Sequence, residues 1–258
     1  MTSPGAPVTI VTGSSRGIGR AIADALAADG HRLLLVARTA RQLSERAAAL
    51  RARGAVVETC AVDLRVAGAV DEVLSASARH FGPPDVVVSN AGTAPSAKIE
   101  DTTDAALQEV WDLHVAAPLA FARACAPGMK ARGAGALVHL ASTAGLRGYP
   151  FTSAYTAAKH AMVGLTRALH EEMRDKGLRC YAVCPGFVDS DITRQAADAV
   201  ASKGRTTAAD ALTQMGRQNR IGRMHTCEEV AAAVAALLRD RPDGCVYHLD
   251  QEPPGFLD

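Results

Sequence analysis

Thr12-Gly13-Ser14-Ser15-Arg16-Gly17-Ile18-Gly19 is the stretch that decides the fold. It follows a β-branched run, Val8 to Thr12, and opens a segment of helical spacing from Gly17 to Asp29. In such a strand-loop-helix unit Gly13 permits the tight turn, Gly17 lets the backbone approach a pyrophosphate, and Gly19 lets the helix pack on the strand. The helix N-terminus then faces the phosphates. A glycine triplet alone reads as an ordinary turn; a strand before it and a helix after it make it a nucleotide loop, with Ser15, Arg16 and Ile18 among its contacts.

The pattern repeats outward from this loop. Apolar runs at Val8 to Thr12, Arg32 to Ala37, Val56 to Val62, Val86 to Ser89, Ala136 to Ala141, Arg179 to Cys184 and Cys245 to Leu249 predict seven strands. Between them Gly17 to Asp29, Ala40 to Arg53, Val66 to Phe81, Thr103 to Arg132, Ala154 to Lys176 and Cys227 to Arg239 predict helices. Strands alternating with helices build a parallel sheet through right-handed crossovers. The expectation is an α/β fold, a doubly wound seven-stranded parallel sheet with helices on both faces, as one domain over residues 1–258. Residues 189–226 hold no strand and predict short helices over the cleft, a substrate lid.

Composition narrows the function. The 258 residues carry 28 Lys plus Arg against 27 Asp plus Glu, a net charge of +1, which excludes a binder dominated by nucleic-acid phosphates. A hydrophobic content of 48% excludes a disordered chain. No apolar run is long enough to span a bilayer, and Met1 to Gly13 does not read as a signal peptide. Cys60, Cys125, Cys180, Cys184, Cys227 and Cys245 are scattered with no zinc spacing, so no metal is expected, and reduced thiols fit a cytoplasmic protein.

Folds of this kind that take NAD place an acid at the end of the second strand to bind the ribose 2′-OH. Here that place reads Val36-Ala37-Arg38-Thr39, and no acid occurs between Gly30 and Ser44. Arg38, with Arg16 as a second fork, suits a 2′-phosphate, so the expected cofactor is NADP(H). Asp63-Leu64 lies past the third strand, where it can bond the adenine amino group. Asn90-Ala91-Gly92 lies past the fourth, where small residues let the chain pass close to the nucleotide.

Tyr155 and Lys159 are four apart and share a helix face. A phenol has a reference pKa near 10, and a neighbouring ammonium is expected to lower it toward use as a general acid/base. Ser142, thirteen residues earlier at the end of the fifth strand, can hydrogen-bond the same substrate carbonyl.

With these residues in order, the chain resembles the short-chain dehydrogenase/reductase family of the classical type, and within it the 3-oxoacyl-acyl-carrier-protein reductase-like ketoreductases. The resemblance runs from about Val8 to Leu249: TGSSRGIG, Asp63, Asn90 to Gly92, Ser142, Tyr155 with Lys159, and Pro185-Gly186. It implies a Rossmann fold, Tyr155 as proton donor, Ser142 as the group orienting the carbonyl, and Lys159 binding the nicotinamide ribose while tuning Tyr155. It also implies that Pro185, Gly186 and Val188 line the nicotinamide, Val188 through its backbone, with Ser190 beside them. Family members carry an Asn in the fourth helix that helps hold a proton-relay water; His114 stands there, and an imidazole adds a titration that Asn lacks. The tail, Leu249 to Phe256, departs from the family's Asp-Gly-Gly turn. Assembly as a homotetramer or homodimer is implied.

The activity expected is reduction of a ketone, a 3-oxoacyl thioester or polyketide-type carbonyl included, to a secondary alcohol. The alternatives are a secondary-alcohol dehydrogenase of a catabolic pathway and, in another class, a non-catalytic dinucleotide sensor. The lid's Arg194, Lys203, Arg205, Arg217, Arg220 and Arg223 outnumber Asp189, Asp191, Asp198 and Asp210 by two, which is compatible with an acyl-carrier or CoA thioester.

Overall fold

The computed structural model describes residues 5–202, 204 and 206–257, so Lys203 and Arg205 of the lid lie outside the described residues. The β-branched and leucine runs fold as β1 (Val8–Thr12), β2 (Arg32–Ala37), β3 (Val57–Ala61), β4 (Val86–Ser89), β5 (Gly135–Leu140), β6 (Leu178–Cys184) and β7 (Val246–His248). They pair in parallel in the order β3-β2-β1-β4-β5-β6-β7. β1, β4 and β5 are buried along their whole length, as strands covered on both faces must be.

The period-two alternation sorts side chains between two layers. Val11, Leu33, Leu35, Val88 and Val138 face α1 (Gly17–Ala28), α2 (Ala40–Arg51) and the later helix Cys227–Asp240. Ile10, Leu34, Val36, Val87 and Leu137 face α3 (Ala69–His80) and two helices described next. Burying a Val or Leu side chain on either face contributes roughly 1.5–3 kcal/mol.

The helix expected over Thr103 to Arg132 is divided. It forms α4 (Asp104–Trp111), a π-helical turn over Asp112–Ala116, and α5 (Ala117–Arg132). Pro118 has no N–H to give the carbonyl of His114 four residues back, so the regular ladder cannot run through and widens there. α6 (Ser153–Met173) runs along β6 and carries the Tyr-Lys pair. The stretch 189–226 holds two short helices among its described residues, α7 (Asp191–Ala201) and α8 (Ala208–Arg217), which pack on each other. α9 (Cys227–Asp240) starts with a capping box of Thr226 and Glu229.

The seven-strand, all-parallel expectation needs one correction. The tail folds back as β8 (Gly255–Phe256), antiparallel to β7, with Tyr247 opposite Phe256. Their rings meet edge to face at 5.4 Å, an aromatic pair that holds a two-residue strand too short to show as a pattern. Among the described residues no helix is long and apolar enough to cross a membrane.

Candidate active site

β1 lies between β2 and β4, where the chain winds away in both directions, and the glycine loop leaves its C-terminal end. Ligands of such sheets bind at this switch point. Gly13 has φ +65° and Gly17 +55°, values an L side chain resists. A Cβ on Gly13 would meet the Ala91 Cα at 2.9 Å, so that glycine allows two loops to touch. Asn90 secures the same contact: its Nδ2 donates to the carbonyls of Thr12 (2.9 Å) and Gly13 (3.2 Å). No side chain caps the N-terminus of α1 at Arg16, and its first N–H groups remain for an anion.

From this loop a cleft of about 690 Å³ extends along the strand ends, a volume suited to a cofactor-sized molecule. Gly13, Ser15, Arg16, Gly17, Ile18 and Gly19 form its floor; Arg38, Asp63 and Leu64 stand at one end. Asn90, Ala91, Gly92, His114, Tyr155, Lys159, Pro185 and Ser190 continue to the other. The structure therefore brings together all the expected site residues except Ser142, Gly186 and Val188, which stand just behind the lining. A smaller cavity of about 370 Å³, between the C-terminal half of α6 and Asp243 to Cys245, contains none of them.

Ser142 accepts from the Ala144 N–H at 3.1 Å, and its hydroxyl lies close enough to Tyr155 to draw the phenol pKa down against burial. Val188 is buried, and its strip of chain pairs with His225. The bonds of that bridge run from the His225 N–H to the Phe187 carbonyl (2.9 Å) and from the Asp189 N–H to the His225 carbonyl (2.8 Å). Neither uses Val188's own N–H or carbonyl, which suits a carboxamide partner. Gly186 sits against Asn219 and Asp250, where a Cβ would meet the Asp250 Cγ at 2.9 Å.

The electrostatics differ from the expectation that Lys159 lowers the Tyr155 pKa. Tyr155 is pushed up to about 12, chiefly by burial, with the Ser142 hydroxyl pulling the other way. Lys159 is pushed down to about 7, again by burial. The reason is geometric: Lys159 Nζ donates to the Leu140 carbonyl at 2.5 Å and stands 5.6 Å from the Tyr155 ring centroid, so its charge is directed elsewhere.

His114 is buried in the π-helical turn, edge-on to Tyr155 with ring centroids 5.6 Å apart. Its Nε2 lies 2.9 Å from the Thr93 carbonyl and 3.4 Å from the Thr93 N–H, the shorter contact favouring a proton on Nε2, and Nδ1 has no partner among the described residues. Burial first, then the Lys159 charge, hold its pKa well below the usual imidazole value. The titration expected of a histidine here is thereby suppressed.

Three residues behind the site were not legible in advance. Asn219, buried, receives the Phe187 N–H (2.7 Å) and donates to the carbonyls of Phe187 and Arg223 (2.8 Å each). Asp250 is buried and accepts from the Arg220 N–H (3.1 Å) beside His225 Nε2 (3.2 Å). Asn219, His225 and Asp250 hold the Pro185 to Val188 loop; an Asn just after α8 and an Asp just after β7 carry no local signal of this.

The donor set fits a dinucleotide phosphate: a left-handed glycine turn, an uncapped helix N-terminus, Arg38 and Arg16 at one end, and an unused backbone pair at the other. Among the described residues no group of His, Cys, Asp and Glu could hold a metal. Of the two excess positive charges over 189–226, one is offset from outside the stretch, where Arg223 pairs with Glu229 (2.5 Å); Arg194 pairs with Asp189 (2.9 Å) within it.

Comparison with known proteins agrees with this geometry. The family model described as short chain dehydrogenase matches residues 7–201. A protein of Streptomyces virginiae described as a ketoacyl reductase of the monensin polyketide synthase is 35% identical over 242 residues, 93% of each chain. Actinorhodin polyketide ketoreductase, solved as a point variant with NADPH, superposes with a TM-score of 0.90 at 28% identity over 96% of this chain and 97% of that one. L-Sorbose reductase from Gluconobacter frateurii, solved with NADPH and L-sorbose, gives 0.88 at 30% identity over 95% of each.

Proposed function

Since the chain belongs to the short-chain dehydrogenase family, we propose that it reduces a ketone to a secondary alcohol with NADPH as reductant. The observation that carries this reading is the convergence of Tyr155, with Ser142 beside it, and the buried Lys159 on the wall of the same cleft as the glycine loop. NADPH, when bound, supplies the hydride to the carbonyl carbon. Tyr155 gives its phenolic proton to the carbonyl oxygen, and Ser142 donates a hydrogen bond to that oxygen as charge develops on it. A phenol pushed up to about 12 is held as a proton donor, which suits reduction. Lys159, pushed down to about 7, gives up a proton readily near neutral pH and so suits the replacement of the proton that Tyr155 transfers.

The substrate end of the cleft is lined by Leu113, Ile192, Ala196 and Ala199, with Pro95 opposite, which favours an apolar or acyl ketone. Polyketide-type and 3-oxoacyl carbonyls are the class we assign, in line with the ketoacyl reductases among the relatives. The same reading places the enzyme in the cytoplasm, with its six cysteines as thiols. It also assigns a homodimer or homotetramer, in which Leu107, Trp111 and Leu119, each about 40% exposed in isolation, would be covered; light scattering measures the assembly.

The test is a panel of 3-oxoacyl thioesters, cyclic and aliphatic ketones, and secondary alcohols with each reduced or oxidised cofactor, run on wild type and Tyr155→Phe. Wild type reduces acyl ketones with NADPH; Tyr155→Phe loses about 10²–10⁴-fold in kcat while still binding cofactor. Unchanged turnover in the variant removes Tyr155 from the mechanism.

A further inference from the structure

Arg65 is not among the residues the sequence singles out, yet it makes the densest set of polar contacts in the cleft. It stands two residues past Asp63, at the end where the adenine of a dinucleotide belongs. Its backbone N–H donates to Asp63 Oδ1 at 3.1 Å. Its Nε lies 3.0 Å from Oδ1 and 3.1 Å from Oδ2, and its Nη2 is 2.6 Å from Oδ2. The remaining arm, Nη1, crosses the mouth to Glu109 Oε1 on α4 at 2.7 Å. One planar fork thus joins the loop after β3 to α4, and both carboxylates line the same cleft.

A carboxylate offers about four acceptor sites. Three N–H groups of Arg65 make four contacts, two on each oxygen with Nε–H shared between them, so three protons serve four acceptor sites and the carboxylate is held in the plane of the fork. A carboxylate of fixed orientation with acceptor capacity to spare is what an exocyclic amino group needs for recognition. Arg65 also keeps Asp63 ionised, its pKa lowered first by that hydrogen bonding.

We propose that Arg65 is the positioning residue of the adenine subsite: by clamping Asp63 and tying it to Glu109, it fixes the acceptor that selects a 6-amino purine. The inference rests on the reading that the cleft takes NADPH. It goes beyond that reading by assigning base discrimination to a residue whose side chain need not touch the base.

The experiment measures equilibrium binding, by nicotinamide fluorescence, of NADPH and of its hypoxanthine analogue, which has a carbonyl in place of the amino group. Proteins are wild type, Arg65→Ala, Arg65→Lys, Asp63→Ala and the Arg65→Ala/Asp63→Ala double variant, each checked for an unchanged circular dichroism spectrum. Wild type prefers NADPH by about 10-fold or more, the scale of one hydrogen bond to a charged group. Arg65→Ala brings the two affinities to within about 2-fold, mainly by weakening NADPH. Asp63→Ala does the same, the double variant adds nothing further, and Arg65→Lys fails to rescue because an ammonium cannot fork. A preference that survives Arg65→Ala, or an equal loss for both dinucleotides, overturns the proposal while leaving the cofactor reading intact. Absence of binding of either dinucleotide to wild type overturns the cofactor reading itself.

Discussion

Lys159 and Tyr155 lie one turn apart on α6, but the Lys159 ammonium is turned to the Leu140 carbonyl rather than to the phenol oxygen. Burial depresses the Lys159 pKa from 10.5 to about 7. Its value in the unfolded chain is the higher one, so between pH 7 and 10.5 the unfolded state binds more protons and stability rises with pH. Below pH 7 the penalty for burying the charge is fully present. Lys159→Met removes it: the melting temperature at pH 7 should rise by roughly 3–6 °C, and its increase between pH 7 and 10 should flatten relative to wild type. Turnover should fall sharply at the same time, a site group held against stability. Scanning fluorimetry across pH checks both; a lower melting temperature at pH 7 contradicts the burial argument.

His114 and Gly92 are matched in shape. The imidazole packs so closely on Gly92 that a Cβ there would overlap the ring, with Nε2 at 3.0 Å. Because burial keeps the imidazole neutral, His114→Asn should give the same pH profile for ketone reduction as wild type over pH 5 to 8, with an amide N–H replacing Nε2–H toward Thr93. His114→Ala leaves the Thr93 carbonyl without that donor and opens a void, a loss of about 2–4 kcal/mol. Gly92→Ala should also destabilise, and the two alanine changes together should cost less than their sum, since the small side chain relieves the overlap. A profile for His114→Asn that differs near pH 6 would restore the titrating role.

The strand runs and the glycine loop were legible because their signals are local: Val8 to Thr12 is a buried strand wherever it is placed, and Gly13 needs its left-handed turn whatever lies above it. Tyr155 with Lys159 was legible because helix geometry alone puts them on one face. Asn219, His225 and Asp250 were not, since their meaning depends on Phe187 and Gly186 lying beside them in space. The π-helical turn had a local signal, Pro118 four residues after His114, but its consequence is set by how α4 and α5 pack. The direction of the phenol pKa shift is not legible for a related reason. Spacing places the ammonium near Tyr155 but does not fix where a flexible four-carbon stem points it.

Arg38 stands at the adenine end of the cleft with no carboxylate within ion-pair distance among the described residues. Among the described residues Arg16 pairs with Asp191 at 3.7 Å, both half exposed, a pair worth about 0–1 kcal/mol. Both guanidinium groups are therefore free to meet a 2′-phosphate. Arg38→Ala should weaken NADPH binding by about 10–100-fold, the loss of a charge-assisted pair, and NADH by less than about 3-fold. Arg16→Ala should act in the same direction with smaller size. Wild-type affinity for NADPH should fall with added salt more steeply than affinity for NADH. Equal affinity of wild type for the two cofactors contradicts the roles given to both arginines.

Asn219 holds the chain around Phe187 by both of its backbone groups, so the loop that would line the nicotinamide depends on one buried amide. Asn219→Ala leaves the Phe187 N–H and the Arg223 carbonyl without their partner, and the Phe187 carbonyl with the His225 N–H alone, and should cost about 2–4 kcal/mol, or roughly 5–10 °C in melting temperature. A loss of that size is also expected from Leu50→Ala, on the buried face of α2 and far from the cleft. The two differ in function. Asn219→Ala should raise the KM for NADPH several-fold, and saturating NADPH should recover part of the lost melting temperature beyond what it adds to wild type, because binding reorders the loop. Leu50→Ala should leave KM unchanged and gain only the wild-type increment. If both variants respond to cofactor alike, Asn219 supports the fold without shaping the site.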